Sequence, residues 1–239
     1  MNRTNKTDAM IGLLQLDPFG DGGMILFKIR NVVFQDILNL PSVDIQASQV
    51  TTLFGESGSG KTTLMKLLNQ LISYDKGEIF YQDTLISEKN PIELRREVVM
   101  LSQTPAIFDG NIRDNLLIGL RFSGKSDASD SELHKALEMV QLKKDLEEET
   151  DTLSGGEKQR LAFARVILMD AKVFLIDEPT SALDENTETA VMDRFIQYVR
   201  DHHKTVVMVT HSKAVAERYS DSIIYMNEIN KAKEVQTSG

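Results

Sequence analysis

Cysteine is absent from the 239-residue sequence. Neither a disulfide framework nor a thiolate metal site exists, and nothing calls for an oxidising compartment, so the cytosol is the expected setting. Long hydrophobic runs are missing too. The longest, such as Val173 to Ile176 and Val206 to Val209, fall far short of the ~18 residues a membrane helix needs, so membrane association would go through a partner. An excess of positive charge is likewise lacking. The formal net charge of -9 argues against a broad electrostatic grip on nucleic acid, and no nucleic-acid partner is expected. At the start of the chain there is no basic-then-apolar layout of a secretory signal; residues 1–23 are polar and glycine-interrupted and read as a flexible leader.

What is present is an ordinary globular composition, 41% hydrophobic with interspersed charges, in a chain long enough for one sizeable core. Short apolar runs recur at Met24 to Ile29, Val50 to Phe54, Val98 to Ser102, Val173 to Asp177, Thr205 to Thr210 and Ser222 to Met226. Several lack alternation, as strands buried on both faces of a parallel sheet do. Between them lie helical stripes: Leu64, Leu67, Leu68 and Leu71; Leu133, Ala136, Leu137 and Val140 behind a Ser129–Glu132 capping box; and Met192, Phe195, Ile196 and Val199. The alternation predicts an α/β fold with a mostly parallel sheet, and Gly77 to Tyr81 reads as an antiparallel addition. From Gln103 to Ser154 the strand signals vanish, which suggests an inserted helical subdomain over 104–153, with 24–103 and 154–239 forming the core of a single domain.

Gly55-Glu56-Ser57-Gly58-Ser59-Gly60-Lys61-Thr62-Thr63 fits the phosphate-binding pattern G-x-x-x-x-G-K-[ST], directly after a strand and before a helix. Glycines let backbone N–H groups turn toward phosphate, Lys61 reaches the β/γ-phosphates, and the Thr62 hydroxyl ligates Mg²⁺. The run Val173 to Glu178 is an apolar strand ending in two carboxylates. An unpaired buried charge is costly, and a P-loop Mg²⁺ would partner Asp177, leaving Glu178 to orient or deprotonate a water. His211 follows another apolar strand. Gly55, Gln103, Asp177 and His211 all lie just past strand ends, where open α/β sheets bind ligands. His134, His202 and His203 have no such placement and read as surface residues. Ser154-Gly155-Gly156-Glu157 is a capping box, and its two glycines also open the helix N-terminus to an anion, a second phosphate contact.

Together these residues resemble the ABC (ATP-binding cassette) ATPase family from about Ile25 to Met226, within the P-loop NTPase architecture. Beside the P-loop, the run Leu153 to Arg160, LSGGEKQR, resembles the family's signature; Gln103 resembles the Q-loop glutamine, Ser181 to Asp184 the D-loop and His211 the switch histidine. The resemblance implies ATP and Mg²⁺ as cofactors, with Gln103 joining Thr62 and Asp177 at the metal and Glu178, His211 and Gln103 as the catalytic group. It further implies a head-to-tail dimer, with an identical or second cassette, in which Ser154, Gly155 and Gly156 of one chain complete the site on Lys61 of the other. A separate membrane-spanning permease would dock beside Gln103, against Pro105, Ile107 and Phe108, leaving the chain cytoplasmic and peripheral on the inner face of the membrane. Phe34 is the candidate for stacking on adenine, although the tyrosine-glycine pair usual there is missing. The Gln103 to Leu116 run and the Thr180 to Asp184 turn look similar to small bacterial ATPases of iron-efflux permeases. A soluble ABC ATPase of translation or DNA repair is the competing expectation, against which stand a single P-loop and no long coiled coil.

Overall fold

The computed structural model describes residues 23–179 and 183–232; the leader, apart from Gly23, and the D-loop residues Ser181 and Ala182 lie outside that range. The chain runs β1 (Ile25–Phe34), β2 (Leu38–Gln46), β3 (Val50–Phe54), α1 (Lys61–Leu68), β4 (Lys76–Tyr81), β5 (Thr84–Leu85), α2 (Pro91–Glu97), β6 (Val98–Leu101), α3 (Ile112–Phe122), α4 (Asp130–Met139), α5 (Gly155–Leu168), β7 (Val173–Asp177), α6 (Glu185–Asp201), β8 (Thr205–Val209), α7 (Lys213–Tyr219), β9 (Ser222–Tyr225) and α8 (Met226–Ile229). Five strands form a parallel sheet in the order β6-β7-β8-β3-β9, and four form an antiparallel sheet in the order β2-β1-β4-β5.

The parallel strands are apolar without alternation because both of their faces are covered. Phe174, Ile176, Val206 and Met208 point into a core shared with α3 to α6, while Val173, Leu175, Val207 and Val209 point into a second core shared with α1 and the antiparallel sheet. Period-two alternation thus serves two cores at once. On the helical side Phe195 is the hub: its ring meets Phe163 of α5 at 4.9 Å and Phe174 of β7 at 5.6 Å, both edge-on.

Two local expectations need revision. The antiparallel addition is a whole sheet rather than one segment, and it takes β1, because the tight turn after Phe34 returns the chain beside itself as β2, which only antiparallel pairing permits. Strand β2, with Pro41 in its middle, gives a weak strand signal; it lies at the sheet edge, where proline is tolerated. The stripe on α1 stops at Leu68, since Gln70 adopts a left-handed φ of 56° and ends the helix, leaving Leu71 half exposed. The other two stripes are buried on α4 and α6, and the Ser129–Glu132 capping box is formed. The helices within 104–153, α3 and α4, bury their apolar faces against α5.

Removing the hub should cost about 3–5 kcal/mol, since Phe195→Ala leaves an unfilled space between sheet and helices. Urea denaturation should show that loss at an unchanged m-value.

Candidate nucleotide site

Strand β3 delivers the chain into the glycine-rich loop, and α1 leaves it at Lys61. Gly60 caps α1 at φ 90°, and a Cβ there would lie 2.3 Å from Leu38 Cδ2, so both the backbone conformation and the packing demand glycine. Gly58, at φ 76°, has open space where a Cβ would stand, so the loop offers bare backbone to the cavity in front of it. That cavity, about 640 Å³, gathers Ser57, Gly58, Gly60, Lys61, Thr62, Thr63, Gln103, Glu178 and His211, together with Ile37 from the β1–β2 turn.

Lys61 is only 6% exposed. Its ammonium donates to the Gly55 carbonyl at 2.8 Å and the Glu56 carbonyl at 2.7 Å, and burial pulls its pKa below the ordinary lysine value against the opposing pull of Glu178 and Asp177. Asp177 is 3% exposed and accepts from the Thr62 hydroxyl at 2.8 Å. Burial raises its carboxyl pKa, Thr62 lowers it, and the neighbouring Glu178 raises it again. A buried cation parked on carbonyls and a buried carboxylate held by one hydroxyl both lack a full counter-charge. A nucleoside triphosphate with a divalent cation would supply both, since Lys61 meets phosphate, and Thr62 and Asp177 offer oxygens to the metal. Among the described residues no group of three or more His, Asp or Glu could hold a metal by itself, which fits a cation that takes its other ligands from phosphate and water.

Glu178 sits one residue past the end of β7 with a left-handed φ of 50°, an uncommon conformation for a non-glycine residue. The ladder still holds it: its N–H donates to the Val209 carbonyl at 3.1 Å. Its carbonyl accepts from the Gln159 amide at 3.1 Å. The turned backbone aims the carboxylate at the neighbouring strand ends, where Oε2 accepts from Gln103 Nε2 at 2.9 Å and Oε1 meets His211 Nε2 at 2.8 Å. One carboxylate therefore ties together the ends of β6, β7 and β8.

The remaining candidates fall elsewhere. Gly55 and Glu56 line a separate hollow with Phe54 and Tyr225 behind the loop, and Ser59 is buried with its hydroxyl unpartnered among the described residues. Phe34 does not line the nucleotide cavity; it packs partly against the core behind, and Ile37 stands at the cavity instead. Ser154 and Gly155 are exposed at the start of α5 and, with Gly156, lie outside this cavity. Their capping box is formed, with Ser154 N–H donating to the Glu157 carboxylate at 2.8 Å and Glu157 N–H to the Ser154 hydroxyl at 3.3 Å, and the bond from the Ser154 N–H leads in holding the Glu157 carboxyl below its ordinary pKa. Sequence reasoning missed Ile37 and Gln159. Gln159 stands inside the LSGGEKQR run, but nothing in that run says that its side chain reaches the acidic pair.

Because burial disfavours the ionised form of Asp177, the nucleotide-free protein gives up stability at neutral pH to keep it. Asp177→Asn retains the acceptor for Thr62 and removes the charge. Its melting temperature without nucleotide should rise by about 2–4 °C per kcal/mol recovered. The gain should shrink as pH falls through the range where Asp177 takes up its proton, a trend that calorimetry at several pH values would reveal.

Residues 38–181 match the model of the ABC transporter family. The phosphate import ATP-binding protein PstB of Mycoplasma capricolum is 37% identical over 222 residues, covering 85% of this chain and 81% of the relative. The mesentericin-Y105 transport/processing ATP-binding protein MesD of Leuconostoc mesenteroides is 35% identical over 77% of this chain, which corresponds to 26% of that longer protein. Among solved structures, a dimeric ATP-binding cassette in a post-hydrolysis state with ADP and Pi superposes with a TM-score of 0.76 at 25% identity, covering 87% of this chain and 95% of the other. A family model spanning more than half of the chain, and a relative more than a third identical over most of both lengths, show that this chain belongs to the ABC transporter family as an ATP-binding, ATP-hydrolysing subunit.

Proposed function

We propose that this subunit energises a membrane permease through a composite site, with Glu178 as the residue that positions and polarises the attacking water. The observation that supports this most directly is the Glu178 carboxylate, held between Gln103 and His211 on the cavity wall that faces Lys61 and Thr62. In this reading Lys61 and the loop N–H groups hold the phosphates. Thr62, Asp177 and Gln103 would hold a divalent cation, which would offset phosphate charge. Glu178 accepts a hydrogen bond from water, and His211 shares its proton with the carboxylate or the developing phosphate charge.

The signature turn supplies the second half. Ser154 and Gly155 are exposed and Gly156 partly so at a helix N-terminus outside their own chain's cavity, an arrangement suited to closing the site of a second, head-to-tail cassette. For the permease, the receiving surface is an apolar groove of about 280 Å³ lined by Pro105, Phe108, Phe122 and Arg165, with Arg165 donating to the Ala106 carbonyl at 2.5 Å. Ile107 is instead partly buried and packs against the helical core. Among the described residues no helix is long and apolar enough to cross a membrane, so the subunit would sit peripherally on the inner face. The finer reading, metal (iron) efflux, rests on the likeness of the 103–116 run and the 180–184 turn to efflux ATPases; the relatives named above are named for phosphate and for mesentericin.

Glu178→Gln should bind ATP yet turn over on the order of 10²-fold more slowly or worse. With hydrolysis blocked, ATP should move it from monomer to dimer while ADP leaves it monomeric, as mass action requires of a ligand shared between chains. Adding Ser154→Arg should abolish that dimer and spare ATP binding. Size-exclusion chromatography with light scattering reads both outcomes, and near-normal turnover in Glu178→Gln would remove the glutamate from its role.

A further inference from the structure

The glycine-rich loop has almost no side chains with which to hold its own shape, so something else must. Behind it runs the turn that follows β9, 171 residues away in sequence from Ser59. Asn230 in that turn uses every hydrogen-bonding position of its amide. Nδ2 donates to the Ile37 carbonyl at 2.8 Å and the Ser59 carbonyl at 3.1 Å, while Oδ1 accepts from Asn39 N–H at 2.8 Å and Ala232 N–H at 3.2 Å. Carbonyls on one side and N–H groups on the other leave the amide a single orientation. Lys231 N–H adds a bond to the Asn39 carbonyl at 3.0 Å. At the other end of the loop Asn227 Oδ1 accepts from Glu56 N–H at 3.1 Å.

The glycines of the loop lean on the same turn. A Cβ on Gly55 would come within 2.6 Å of Asn227 Oδ1, and one on Gly60 would sit 3.4 Å from Asn230 Nδ2 and 2.3 Å from Leu38. Met226, fully buried, anchors the turn in the core. Ser59 directly precedes Gly60, the cap of α1, so fixing its carbonyl fixes which way the N–H groups at the helix start point. Ile37 lines the nucleotide cavity. Asn230 therefore bridges, from outside the cavity, the glycine-rich loop and the β1–β2 turn, both of which contribute to its lining.

We propose that Asn230 is a positioning residue for ATP: by donating to Ser59 and Ile37 together it sets the spacing between the phosphate loop and the β1–β2 turn, and Asn227 fixes the loop's leading end. Neither side chain lines the nucleotide cavity. Their contribution is preorganisation, since a loop already held in its binding shape loses less freedom when phosphate arrives.

The experiment is ATP titration by calorimetry on the full chain, with kcat and KM measured alongside. Asn230→Ala should weaken ATP binding on the order of tenfold, raising KM in step while kcat at saturating ATP stays near the parent value. Val199→Ala, a core change on α6 across the parallel sheet, serves as the stability control: matched for loss of melting temperature, it should leave ATP affinity unchanged. Hydrogen exchange at the amides of residues 59–62 should speed up in Asn230→Ala and not in Val199→Ala. If Asn230→Ala does not fold, Asn227→Ala carries the test from an exposed position, where a smaller loss of ATP affinity at unchanged melting temperature is expected. Parent-like ATP affinity in the folded Asn230 variant, an equal loss of affinity in Val199→Ala, or, where Asn227→Ala carries the test, its parent-like affinity would overturn the assignment.

Discussion

The Glu178 carboxylate can meet Gln103 and His211 at once only because β6, β7 and β8 are parallel neighbours in register. Parallel strands end on the same side of a sheet, and adjacent ones lie about 4.8 Å apart, so residues one or two positions past their ends fall within reach of one another. Everything else in the site is arranged around that line. The left-handed turn at Glu178 swings its side chain sideways along the sheet edge, and two bonds to its backbone, from Gln159 and to Val209, hold the turn in place. A helix that begins at the LSGGEKQR run is thereby tied to the acidic pair of the same chain.

The site is built from groups that water would have solvated better. Lys61 and Asp177 are nearly inaccessible, and burial moves the pKa of each toward its neutral form. That unfavourable term is tolerable because two hydrophobic cores, one on each face of the parallel sheet, hold the strand ends in position. A phosphate and a divalent cation entering such a place would supply the counter-charges that the two buried groups lack. Burial of these two charged groups opposes stability, and the packing elsewhere makes up the difference.

The antiparallel sheet contributes a wall rather than chemistry. Its first hairpin brings Ile37 to the cavity and Leu38 against Gly60, and the C-terminal turn bonds to both the hairpin and the loop. Ile37, the glycine-rich loop, Gln103, Glu178 and His211, far apart in the chain, line the nucleotide cavity, and of the two segments that the C-terminal turn braces from outside only the loop carries a recognisable pattern.

That division separates what was legible in the sequence from what was not. The parallel strands, the stripes on α4 and α6, both capping boxes and the identities of Lys61, Asp177, Glu178, Gln103 and His211 follow from local rules: apolar runs, 3.6-residue spacing, and polar groups at strand ends. The extent of the antiparallel sheet was hidden because β2 is an edge strand with a proline and a weak alternation. Phe34 looked like the natural aromatic for the base, yet the turn after β1 carries Ile37 forward and leaves Phe34 packed partly against the core. Gln159, Asn227 and Asn230 gave no signal, because an amide side chain carries no period and no charge, and its partners lie 19, 171 and up to 193 residues away. By itself the sequence determined which chemical groups this protein owns and on which elements they ride. Only the tertiary structure decided which of them meet, because hydrogen bonds between distant backbone and amide groups depend on how the layers close over one another, and no local pattern encodes that distance.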